Sequence, residues 1–89
     1  MSDTMSETRE IRIKRLKMRS MRRGIKEMDL ILQAYAEGAL ETMTPEALDL
    51  YEALLNENDQ DLYKWVTGQI ETPAPYGALV DEIAQTFQA

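Results

Sequence analysis

Arg22-Arg23-Gly24-Ile25-Lys26-Glu27-Met28-Asp29 is where two helical patterns meet and where the chain changes its charge. Nine of the ten basic residues lie between Arg9 and Lys26, opposed there only by Glu10. From Glu27 onward, Lys64 is the single base among thirteen acids. A glycine at such a junction lacks the Cβ that would keep another backbone away, and a contact surface can use that space. If the second helix begins near Gly24, Arg23 and Glu27 stand four apart on one face and can pair with each other or with a partner. Helix stability alone would prefer the reverse order, because an arginine opposes the dipole at a helix N-terminus and basic-before-acidic is the weaker arrangement. The same octet also fits a plain loop glycine between solvated charges.

Toward the N-terminus, residues 1–6 read as a disordered tail. Ser6 is the expected cap of a charged first helix running to about Arg22. Its apolar residues divide into Ile11, Met18 and Met21 on one side and Ile13 and Leu16 on another. The alternation from Arg9 to Lys14 also permits a short strand, but the chain contains no second strand for it to pair with.

Toward the C-terminus, Ile25, Met28, Leu32, Tyr35 and Ala36 make one apolar face, with Gly38 at the position expected of a C-terminal cap. Thr44-Pro45-Glu46 is a start signal: a capping hydroxyl, a proline whose fixed φ suits the first turn, and an acid facing the positive dipole end. The third helix then reaches about Asn56 with Ala47, Leu48, Tyr51, Leu54 and Leu55 on its inner face. Asp59 is the expected cap of a short fourth helix carrying Leu62, Trp65 and Val66, with Gly68 ending it. Trp65 is read as core. Glu71 to Gly77 holds Pro73, Pro75 and Gly77 and reads as a turn-rich connection. Leu79, Val80, Ile83, Ala84 and Phe87 form the stripe of a last helix. The expected fold is all-α: one domain over residues 7–89, a small five-helix antiparallel bundle.

Eighty-nine residues suffice for a core but not for a deep cleft. The chain has no cysteine and no histidine, so disulfides, thiolate chemistry and the commonest acid/base group and metal ligand are missing. An enzyme is not expected. A net charge of −6 argues against general nucleic-acid affinity, although the basic N-terminal third could meet an acidic surface by itself. No apolar run approaches a membrane span, so no membrane insertion is expected. Asp3, Glu7 and Glu10 spoil the acid-poor pattern of a mitochondrial transit peptide, so the protein reads as cytoplasmic and bacterial.

Glu57, Asp59 and Asp61 alternate like the opening of a calcium loop. The sixth position is Leu62 where glycine is needed and the twelfth is Gly68 where glutamate is needed, so no metal site is expected. Phosphate-cradling loops, dinucleotide fingerprints and nucleophile motifs are also missing. Met18, Met21 and Met28 fit either gap filling or an apolar rim around the basic patch, and such a rim favours a protein partner over nucleic acid.

Arg23-Gly24-Ile25-Lys26-Glu27 matches the RGxxE pattern of the FAD assembly factors of succinate dehydrogenase, the SdhE family, whose mitochondrial relatives are called succinate dehydrogenase assembly factor 2. The chain also resembles that family in Met28-Asp29, in Leu54-Leu55, in the acidic turn Asp59-Gln60-Asp61 and in Leu62-Tyr63-Lys64-Trp65, over about residues 16 to 70. Gln60 departs from the proline found in many members. The resemblance implies a helical chaperone-like monomer, not an enzyme, that binds the flavoprotein subunit of succinate dehydrogenase, and in bacteria often that of fumarate reductase. It implies promotion of covalent FAD attachment to a histidine of that subunit, with FAD belonging to the partner and no cofactor held stably by this chain. It also implies Arg23, Gly24 and Glu27 as the contact motif, with Arg22, Met28 and Asp29 as neighbours. The alternatives are a nucleic-acid binder or an antitoxin-type interaction protein using the basic first helix.

Overall fold

In the computed structural model, which describes residues 7–21 and 23–88 apart from the side chains of residues 87 and 88, Thr8 starts the chain's first helix. Its hydroxyl accepts a hydrogen bond from the Ile11 N–H at 3.1 Å and so satisfies one of the free donors of α1 (Arg9–Ser20). The expected cap, Ser6, and the expected tail at 1–6 lie outside the described residues, as does the Phe87 side chain. Helix α1 stops two residues before the expected end.

The two apolar sides of α1 have different fates. Ile13, Leu16 and Ser20 face inward, whereas Ile11, Met18 and Met21 remain in solvent. Ser20 Oγ donates to the Leu16 carbonyl at 2.8 Å. With its single proton committed there, it accepts from the buried Tyr51 hydroxyl at 2.6 Å. Burial pushes the Tyr51 phenol up to about 12, so it stays a neutral donor.

Helix α2 (Lys26–Ala39) is the central element and packs against α1, α4 and α5. Met28, Ile31, Leu32, Tyr35 and Ala36 form its buried face. Gly38 does not cap it. The helix runs through Gly38 into a 3₁₀ turn (Leu40–Thr42) because Leu40, fully buried, carries the chain onward into the core.

Thr44 caps α3 (Pro45–Leu55) by accepting from the Ala47 N–H at 3.1 Å, with Pro45 in the first turn. Asn58, not Asp59, caps α4 (Asp59–Val66), accepting from the Gln60 N–H at 2.8 Å. Gly68, at φ 79, takes the left-handed conformation that ends α4 and lets the Gln69 N–H return to the Lys64 carbonyl at 2.8 Å. Helix α5 (Gly77–Gln88) buries Leu79, Val80 and Ile83. Trp65 is only half-buried and stacks on Tyr76, 6.0 Å between ring centres. Tyr76 is buried and donates to Glu57 at 3.0 Å, which pins the proline-rich connection to the body. Tyr35 ties α2 to α5 through Glu82 at 2.9 Å. Among the described residues the result is an all-α bundle of five α-helices.

The basic character of α1 is largely neutralised within the fold. Arg12 pairs with Asp49 at 2.6 Å and Glu52 at 3.1 Å, both on α3. Arg15 meets Glu52 at 2.8 Å and Glu7 at 2.7 Å, and Lys17 meets Glu41 at 3.1 Å. The charge asymmetry of the sequence is thus a seam between neighbouring helices. A duplex or single strand would have to compete with Glu52 for these guanidiniums.

Candidate functional site

After Ser20 the chain leaves the helix: Met21 is extended, with its N–H returning to the Met18 carbonyl at 3.1 Å. The next helix begins only at Lys26, preceded by an extended Ile25 that has no side chain able to cap it. Arg23 and Gly24 therefore lie in a short non-helical link, the condition of a helix beginning near Gly24 is not met, and Arg23 and Glu27 do not pair with each other. Helical i,i+4 geometry does not reach back across that link.

Arg23 turns inward instead. Its Nε donates to Asp59 Oδ1 at 2.9 Å, and Nη2 lies 2.7 Å from the same oxygen. Nη1 donates to the Arg19 carbonyl at 3.1 Å and Nη2 to the Leu55 carbonyl at 3.0 Å. One planar guanidinium thus joins the C-terminal ends of α1 and α3 to the first residue of α4. Each contact suits the local field: cations are favoured where helix carbonyls are left over, and an acid is favoured at a helix N-terminus. The side chains of Arg23 and Asp59 are only 10% and 15% exposed.

The other oxygen of Asp59, Oδ2, accepts the Gly24 N–H. A Cβ built on Gly24 would sit 3.2 Å from that oxygen, so a side chain here would press on Asp59 and the carboxylate would have to give by a few tenths of an ångström. The space that sequence reasoning reserved for a partner backbone is used, on this side, by the chain's own carboxylate. Asp59, which the sequence offers only as a cap, is a residue of the site. Its position in the acidic turn that resembles the family was the one available signal.

What the clamp presents outward is Gly24, Lys26 and Glu27, all exposed. Glu27 makes no hydrogen bond or ion pair with any described residue, and it stands in the first turn of α2, where the dipole favours it. Met28 does not belong to this surface. It is fully buried in the core, because it begins the inward stripe that continues through Ile31, Leu32 and Tyr35. Asp29 is half-buried in the same turn, its N–H bonded to the Ile25 carbonyl at 3.0 Å. Arg22 lies outside the described residues.

A family model described as flavinator of succinate dehydrogenase matches residues 14–87. Among curated relatives, the chain is similar to succinate dehydrogenase assembly factor 2, mitochondrial, of Candida glabrata, 47% identical over 75 residues, covering 83% of this chain and 49% of that protein. The protein of the same name from Meyerozyma guilliermondii is 43% identical over 83 residues, covering 92% of this chain and 62% of the relative. That of Saccharomyces cerevisiae is 45% identical over 62 residues, covering 68% and 38%. The chain therefore spans between about a third and two thirds of these relatives' length.

The relatives overturn the expectation of a bacterial cytoplasmic protein, since those named above are mitochondrial proteins of yeasts. That expectation rested on acids near the first residues of this chain, and a charge count over so short a stretch says nothing about the rest of a longer relative.

Proposed function

This chain belongs to the family of flavinators of succinate dehydrogenase, and from that premise we propose that it is an assembly factor that docks on the flavoprotein subunit and promotes covalent attachment of FAD there. The observation that carries the reading is the link between α1 and α2. Arg23 and Asp59 hold it rigid from inside, so that Gly24, Lys26 and Glu27 are offered to a partner in fixed register.

In this reading Arg23 acts by positioning, while Gly24 and Glu27 make contact. FAD supplies the flavin ring that becomes bonded to a histidine of the partner. The hollow beside Gly24 is bordered by Glu57 and Asp59, and its backbone donor is already taken by Asp59, which does not fit a cofactor diphosphate. In this reading FAD belongs to the partner. This chain's contribution is orientation: a docked surface that holds the client in a reactive arrangement, with no chemical step of its own.

The test is coexpression with the flavoprotein subunit. The unaltered chain is expected to co-purify with it and to raise covalent flavin fluorescence on a denaturing gel. Gly24→Arg, which crowds Asp59, and Glu27→Arg, at an exposed position, are both expected to lose binding and fluorescence. Retention of both signals by Glu27→Arg would overturn the reading.

A further inference from the structure

Helix α1 has three faces, and two are accounted for. Ile13, Leu16 and Ser20 point into the core, and Arg12 and Arg15 reach across to α3. On the remaining face Ile11 is 54% exposed and Met18 57%, and Met21 just beyond the helix end is 39% exposed, so three of the five large exposed apolar side chains among the described residues share one strip. These residues form the floor of a shallow groove whose border is Lys14, Arg15 and Arg19 and whose end is Arg23. Among the described residues no carboxylate lines it, in a chain of net charge −6. Lys14 is exposed and has no ion-pair partner among the described residues.

We propose that this strip of α1 is a second contact surface for the same flavoprotein, receiving an apolar ridge flanked by carboxylates. The inference rests on the function proposed above and adds a surface outside the RGxxE residues. Two observations select this occupant. The groove ends on Arg23, which also borders the hollow beside Gly24, so one partner can cover both without a gap. Arg15, Arg19 and Arg23 turn to carboxylates of the fold, so Lys14 is the border cation whose counter-charge is left for the partner to supply. A second copy of this chain is a poor occupant, because a two-fold contact would set Lys14 and Arg15 against their own copies. Methionine suits the task, since its flexible thioether adapts to a surface that is not present during folding.

The experiment is a binding titration of the full chain against the flavoprotein subunit with Met18→Glu, Met18→Leu and Lys14→Glu. Met18→Glu is expected to weaken binding about tenfold or more while leaving the thermal unfolding midpoint in place, because the side chain is exposed in the free protein. Met18→Leu keeps binding. Lys14→Glu slows association and flattens its salt dependence. Unchanged affinity of Met18→Glu beside a binding-competent unaltered chain would overturn the second surface alone. Failure of the unaltered chain to bind would remove both it and the proposed function. A change in the chain's own oligomeric state, with flavoprotein affinity intact, would assign the strip to self-association and overturn the proposal.

Discussion

Two sets of arginine–carboxylate contacts secure α1 and the link that follows it, and they differ in what surrounds them. Along the α1–α3 seam, Arg12 and Arg15 meet Asp49, Glu52 and Glu7 at the edge of solvent, with side chains on both sides of each contact. At the link, Arg23 meets Asp59 almost out of solvent, and two helix carbonyls and one amide N–H complete the arrangement. Water competes for the first set and hardly reaches the second. The seam selects which helix α1 lies beside, and the clamp sets the shape of the candidate docking surface.

Removing the clamp should give the largest effect. Asp59→Ala leaves the Arg23 guanidinium without its counter-charge and frees the Gly24 N–H, at an expected cost of about 2–3 kcal/mol in urea unfolding together with loss of docking. A cost no larger than that of a seam variant would break the comparison. Arg23→Lys should cost somewhat less, about 1–2 kcal/mol. It keeps the charge, but one ammonium cannot reach Asp59, Arg19 and Leu55 in the fixed planar geometry of a guanidinium.

The seam should respond weakly and in a pH-dependent way. Hydrogen bonding by Arg15 holds the Glu52 carboxyl below its ordinary value of 4.5 against the opposing effect of desolvation, and Arg12 adds to the lowering. The unfolded chain therefore takes up that proton first as the pH falls. The stabilisation is complete above about 4.5 and is lost as the pH drops from there through the depressed folded value. Glu52→Gln should cost about 0.5–1 kcal/mol at neutral pH, fading with added salt, and should make the acid limb of a stability–pH curve shallower. A salt-independent loss would mean the seam is better shielded than its exposure indicates.

Local signals were legible wherever one turn of chain contains the whole explanation. Thr44-Pro45 starts α3 as expected, whereas the two apolar sides of α1 were legible as a division but not as to which is buried, which packing decided in favour of Ile13 and Leu16. Gly38 misled because a glycine marks a helix end only if nothing beyond it must be buried, and Leu40 must be. Met28 belonged to two readings at once, inward stripe and motif neighbour, and packing chose the first. Tyr76 was passed over inside a proline-rich connection, yet its ring and hydroxyl anchor that connection to Trp65 and Glu57.

The sequence by itself determined that the fold is all-α, where most of its helices begin, and which pentapeptide matches the family's RGxxE pattern. These follow from periodicity, capping chemistry and residue order within a few positions. Only the tertiary structure decided that Arg23 faces inward and that Asp59, 36 residues away, completes the link. It also decided that most of the basic helix is paired internally and that Glu27 is left outward. The reason is physical: a charged side chain takes whichever counter-charge the packed helices bring within reach, and that distance exists only once the core has closed.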